Sequence, residues 1–248
     1  MISIKTDEQI ALMRESGKLT RNVLETLRKE IRPGMTTKAL DKIAYDYITS
    51  FGAVPSFLNY SGYPASLCTS IDDMVVHGIP SDDVYIKEGQ IVSVDVGVIL
   101  NGWHGDAART FAIGEISEEK QKLMKVTEEC FFKGIENLKD GTPLGTIGYN
   151  IQRHAEENGF SVVRALVGHG IGREMHEAPN VPNYGVRGTG IRLKKGMTIA
   201  IEPMINAGDF KVEFMSDGWG VKTKDRRPSA HYENTVVITE NGVEILTL

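Results

Sequence analysis

The stretch IVSVDVGVILNGWHGDAARTF, residues 91–111, decides the fold. Two apolar runs flank Asn101-Gly102, a dipeptide that supplies the positive φ angles of a two-residue hairpin turn. Each run alternates with the period of a strand, yet each carries an aspartate where Val or Ile is usual, Asp95 and Asp106. With Asn101 and Gly102 in the turn, Leu100 faces Trp103 and Gly97 faces Asp106. Asp95, two residues from Gly97, then projects on the same side as Asp106, within reach of a shared ion. Arg109 falls on the opposite face and is a poor partner for either acid. A buried carboxylate is costly unless something compensates its charge, so the pair calls for a cation.

The segments around the hairpin recur. Thr6 with Gln9 has the pattern of a capping box opening a helix to about Ile31, and a second helix is predicted from Thr37 to Phe51, stopped by Gly52. After the hairpin the order begins again, with a helix from about Ser117 to Leu138 and another from Leu144 to Asn158, stopped by Gly159. Gly34 and Gly141, Leu40 and Ile147, and Gly52 and Gly159 are all 107 residues apart. At that same offset IKEGQIVSVD (86–95) lies over LKKGMTIAIE (193–202), and Asp95 falls on Glu202. The last strand, within YENTVVITENGVEI, takes the place of GDAARTFAIGEI, which makes Glu233 the counterpart of Asp106. Residues 203–231 read as an insertion in the second copy. With no Pro- or Ser-rich linker between 1–115 and 116–248, the expectation is an α/β (α+β) fold. Its single domain, 1–248, would hold two pseudo-twofold-related halves.

Bulk properties narrow the class. The chain has 248 residues, 41% hydrophobic and 25% charged, enough for one sizeable core. A net charge of -5 argues against a dedicated nucleic-acid binder. Cys68 and Cys130 are too few for a disulfide framework. The N-terminal segment lacks a signal-peptide core, and no run reaches the ~18 apolar residues of a membrane span. A cytoplasmic protein is expected.

Four carboxylates gathered on one sheet would repel one another and resist ionisation. Two divalent cations would balance Asp95, Asp106, Glu202 and Glu233, the composition of a two-metal hydrolytic site. Histidines extend the set. GHGIGREMHEAP places His169 and His176 in a glycine-rich stretch where backbone can approach a site closely. His77, in VVHGIP, precedes the first acidic strand as that segment precedes the second. Carboxylates with an imidazole suit Mn, Fe, Co or Zn. His104, His154 and His231 read as hairpin surface, helix face and loop. No H-E-x-x-H, G-x-S-x-G or Walker A pattern offers another chemistry.

The order His77, Asp95, Asp106, His169, His176, Glu202, Glu233, with the motifs VVHGIP, VDVGVILNGWHGDAARTF, AIEPM and ENTVVIT, closely resembles methionine aminopeptidase type I, the bacterial form. The resemblance runs from about residue 3 to the C-terminus. It implies the pita-bread fold, two α/β halves around a curved, mostly antiparallel central sheet, and a dinuclear site. Asp95 would chelate one metal, His169 and Glu202 the other, and Asp106 and Glu233 both. Glu202 would handle protons, His176 would meet the scissile carbonyl oxygen, and His77 would meet the amide nitrogen. Tyr60, Tyr63, Cys68, Met175 and Trp219 match the methionine pocket, although Met175 departs from the phenylalanine of the best-known bacterial members. The resemblance further implies a monomeric, bare catalytic domain acting on the N-termini of nascent chains at the ribosome, with no nucleic acid or membrane partner. Prolidase-type pita-bread peptidases and a non-catalytic binding module on the same fold remain alternatives.

Overall fold

A computed structural model describes residues 2–248. Four helices are present: α1 (Asp7–Glu30), α2 (Thr37–Ser50), α3 (Glu118–Ile135) and α4 (Gly145–Glu157). The Thr6 hydroxyl accepts from the Gln9 backbone N–H, and the Gln9 side chain accepts from the Thr6 backbone N–H, so the expected capping box forms. α3 ends three residues earlier than the sequence suggests. Glu136 is extended and Asn137 takes a left-handed φ of 60°, which turns the chain before Leu138.

Nine strands form the main sheet: β1 (Val54–Pro55), β2 (Leu67–Ile71), β3 (Ile91–Leu100), β4 (Trp103–Ala112), β5 (Gly168–Gly170), β6 (Glu177–Val181), β7 (Thr198–Ile201), β8 (Glu233–Ile238) and β9 (Val243–Ile245). Their order is β1-β3-β4-β8-β7-β5-β6, with β2 also pairing β3 and β9 also pairing β8. All of these pairings are antiparallel, and the sheet is curled. The β3–β4 register is the one the turn dictates, Leu100 opposite Trp103 and Gly97 opposite Asp106. Asn101 and Gly102 have φ of 53° and 77°, the signs a type I′ turn requires.

One face of β3 makes core. Val92, Val94, Val96 and Val98 pack with Leu19, Val23, Leu27, Leu40 and Ile48 of α1 and α2. The alternate residue Asp95 therefore looks away from the helices. α1 can approach closely because Gly17 meets Gly105, where a Cβ would lie 2.9 Å from the Gly17 Cα. On the other half α3 and α4 cover Ile199, Ile201, Val236 and Ile238 of β7 and β8.

Local features repeat at the sequence offset of 107. Gly34, Gly52 and Gly89 have left-handed φ, and so do Gly141, Gly159 and Gly196. The isolated bridge Thr36–Tyr85 recurs as Pro143–Arg192. The segment read as an insertion is not a loop. It contributes Met204–Asn206 and Ser229–His231 to one three-stranded sheet, and Val212–Phe214 and Val221–Thr223 to another.

Candidate metal centre

Sheet register lines the acids up. Cys68 pairs with Asp95, Asp95 with Ala108, and Ala108 with Glu233, so these four form one row across β2, β3, β4 and β8. Asn234 pairs with Ile201, which puts Glu202, just after β7, beside Glu233. Asp106 is one period-2 step from Ala108 on the same face, and His169 pairs with Ala200, one such step from Glu202. Ala108 keeps the middle of the row clear of bulk.

Asp106 and Glu233 are buried, 3% and 2% exposed, and Asp95 and Glu202 are half-buried. Asp95 Oδ1, Asp106 Oδ1 and Glu233 Oε1 have no hydrogen-bond partner among the described residues. Burial pushes Asp106 up to about 7. Burial and then the neighbouring acids, Asp106 first among them, hold Asp95, Glu202 and Glu233 well above the usual carboxylate range. Among the described residues the ion-pair contacts of these acids within 4.0 Å are to His169 and His231, and none is to a lysine or arginine. Arg109 points to the other face, as expected, where it donates to the main-chain oxygens of Ala108 (2.8 Å) and Glu233 (2.6 Å) and stacks on Tyr232.

His169 Nε2 lies 3.6 Å from Asp106 Oδ2 and 3.7 Å from Glu202 Oε1, and burial lowers its pKa. Its Nδ1 is 2.8 Å from the Gly170 carbonyl oxygen, an acceptor that fixes the proton there and leaves Nε2 a free lone pair. His176 packs against His169 with ring centroids 4.2 Å apart and planes tilted by 53°, and its Nδ1 is 2.8 Å from the Tyr60 hydroxyl. Loss of solvation and then His169 push its pKa down to about 4. His77 is held with a left-handed φ of 59°. Gly78 beside it packs so tightly that a Cβ would lie 2.1 Å from the Thr69 carbonyl oxygen. Burial and then His176 lower the His77 pKa.

One pocket of about 130 Å³ is lined by all twelve residues singled out in the sequence, Tyr60, Tyr63, Cys68, His77, Asp95, Asp106, His169, Met175, His176, Glu202, Trp219 and Glu233, together with Phe57. It is well below the ~300 Å³ at which drug-sized sites begin, so it suits one side chain. Phe57, Tyr63, Cys68 and Met175 form its apolar end, with Tyr63 edge-on to Trp219 at 5.0 Å. Burial, then Asp95, raises the Cys68 pKa, so the thiol stays protonated and apolar in character.

The donor set fits divalent cations. One ligand atom each from Asp106, His169 and Glu233 lie within 4.8 Å of one another, and so do one each from Asp95, His231 and Glu233. Carboxylate oxygens with unprotonated imidazoles and no thiolate are the donors of first-row divalent metals.

Comparison with known proteins bears on what such a site belongs to. The model of metallopeptidase family M24 matches residues 11–240. A methionine aminopeptidase of Clostridium acetobutylicum is 55% identical over all of this chain and 99% of its own length. That of Escherichia coli K12 is 48% identical over all of this chain and 94% of its own. The chain belongs to the methionine aminopeptidases of family M24. The crystal structure of the family member from Rickettsia prowazekii superposes with a TM-score of 0.98 at 45% identity, each chain covered completely. The pita-bread fold expected from sequence is therefore the fold present. As an M24 metallopeptidase, this methionine aminopeptidase relative is a hydrolase of a class that uses divalent metal.

Two histidine readings need correction. His104 is not on the hairpin surface but buried, with Nδ1 2.9 Å from the Ser56 hydroxyl. It is one period-2 step from Asp106, and that parity places it inside. His231 is not in a loop. It ends the Ser229–His231 strand, 2% exposed, with Nε2 3.7 Å from Glu233 Oε2. Its two-residue spacing from Glu233 is the signal in the sequence. His154 does lie on a helix face, 2.9 Å from Glu129. Phe57, which sequence reading missed, stands close to the aromatic cluster Tyr60–Tyr63 in the chain and joins it in the pocket.

Proposed function

We propose that this chain removes N-terminal methionine from peptides and nascent proteins whose second residue is small, at a dinuclear centre. The observation that carries the reading is the convergence of four carboxylates, three with a buried, orphaned oxygen, on unprotonated imidazoles beside an apolar pocket. Asp95 would hold one cation, His169 and Glu202 the other, and Asp106 and Glu233 both. Co, Mn, Fe or Zn fit these donors. Bound there, divalent cations supply Lewis-acid activation of water and of the scissile carbonyl.

The chain's own groups do the rest. Glu202, at the edge of the acid row with Oε1 3.7 Å from His169 Nε2, would take a proton from the attacking water and pass it on. Tyr60 donating to His176 Nδ1 leaves Nε2–H as a donor for the scissile carbonyl oxygen as it gains charge. His77 meets the amide nitrogen that becomes the leaving amine. Tyr60, Tyr63, Cys68, Met175 and Trp219 enclose the methionine side chain, whose thioether suits aromatic edges and soft sulfur.

The working unit in this reading is a monomer, one catalytic domain of two repeated halves, 1–115 and 116–248. It acts in the cytoplasm on chains leaving the ribosome and binds neither nucleic acid nor membrane. No helix among the described residues is long and apolar enough to cross a membrane. Metal-loaded protein is expected to release methionine from Met-Gly-Met and to leave X-Pro peptides intact. Cleavage of X-Pro with Met-Gly-Met untouched would overturn the reading.

A further inference from the structure

His231 stands outside the ligand set that the family resemblance supplies, and the mechanism above does not use it. Its Nε2 is buried and has no hydrogen-bond partner among the described residues. It lies 3.7 Å from Glu233 Oε2 and 3.9 Å from Glu202 Oε2, too far for hydrogen bonds. His169 Nε2 keeps nearly the same separations, 3.6 and 3.7 Å, from its own two carboxylates. Nitrogen and oxygen donors at roughly 2.0–2.2 Å from one cation stand about 3–4 Å from each other, so both histidines have the spacing of ligands.

The main chain presents His231 as firmly as it presents an accepted member of the set. The Thr235 hydroxyl accepts from the Asp106 N–H (3.0 Å) and donates to the Asp106 carbonyl (2.9 Å). The Thr110 hydroxyl does the same for His231, at 3.0 and 2.9 Å. A histidine serving only the core would be expected to have found a partner for its buried ring nitrogen. This one instead points an unpartnered Nε2 at the acids, in the group formed with Asp95 and Glu233.

We propose that His231 Nε2 is a sixth protein donor to the metal centre, serving the cation held by Asp95 and Glu233. The inference rests on the dinuclear reading given above. It gives each cation one imidazole, where the resemblance would leave the Asp95 side with oxygen donors alone. With an imidazole among its donors, the Asp95 side would favour Co, Fe or Zn over harder cations.

The test is proton NMR in water of the intact protein loaded with two equivalents of Co(II), in which each metal-bound imidazole gives one strongly shifted, exchangeable N–H signal. Two such signals are expected in the wild type and one in His231→Gln, where one Co(II) should also bind about tenfold or more weakly by calorimetry. His231→Asn should behave as His231→Gln does. A single shifted imidazole signal in the wild type, or two retained in His231→Gln, would overturn the proposal while leaving the metal centre standing. Failure of the wild type to take up Co(II) would overturn the dinuclear reading itself, and the proposal with it.

Discussion

At the scale of single residues, the centre is defined by what its acids cannot do alone. Asp106 is shut away from water, and burial carries it up to about 7, against ~3.9 for an aspartate in an unfolded chain. Without metal, the folded protein therefore keeps a proton that the unfolded chain releases. Stability present below pH ~4 is lost as the pH rises through about 7. Asp106→Asn has no such proton to lose. Metal-free Asp106→Asn should therefore gain on metal-free wild type as the pH goes from 4 to 7, by an amount on the order of a few kcal/mol. Thermal unfolding of both proteins across that range reads it directly. Parallel curves would mean that the acid pays no penalty for burial. The same physics explains why Asp95 and Asp106 were readable in the sequence at all, since an acid inside an apolar, alternating run has few structural explanations.

At the scale of elements, the hairpin carries the site because its register is set by chemistry close in the chain. Asn101-Gly102 accepts the turn's positive φ, ten residues pair on each side, and the parity of Asp95 and Asp106 follows. The helix stops were equally legible, since Gly52 and Gly159 take left-handed φ where α2 and α4 end. Residues 203–231 were not. Their strands are only three residues long, and some depend on distant partners, as when Val221 pairs with Val76, so local pattern carries little of the signal. His231 was lost with them. The VVHGIP segment shows another element-level constraint. Gly78 N–H donates to the Ser70 hydroxyl, its carbonyl accepts from the Tyr63 hydroxyl, and its Cα faces the Thr69 carbonyl with no room for a methyl. Gly78→Ala is expected to displace His77, lowering turnover at least about tenfold while metal content stays near wild type. Peptidase kinetics with metal analysis checks it. Wild-type turnover would show that the backbone there yields freely.

At the scale of the whole molecule, two halves meet at β4 and β8, and the site is assembled across that seam. Only Glu233–Ala108 and Asn234–Ala107 pair there as a ladder, reinforced by the Thr235 hydroxyl on Asp106 and by Arg109 on the Glu233 carbonyl. Each half brings one acid on each of two neighbouring strands or at a strand end, and neither half has enough donors alone to neutralise two divalent ions. The offset of 107 residues made this arrangement legible, because helix stops, strand and acid all agreed on it. What it could not convey was depth: His104 and His231 are both buried on the face that carries the acids, His104 against Ser56 and His231 beside Glu202 and Glu233. In the proposed dinuclear centre, four carboxylates from the two halves hold a pair of cations that hydrolysis requires. Calorimetric titration of metal-free protein with Co(II), with turnover measured on the same samples, tests it most directly. Wild type should bind two equivalents, and Asp106→Asn should bind fewer and lose nearly all activity. Two equivalents and near-wild-type turnover in Asp106→Asn would rule out a dinuclear centre bridged by Asp106.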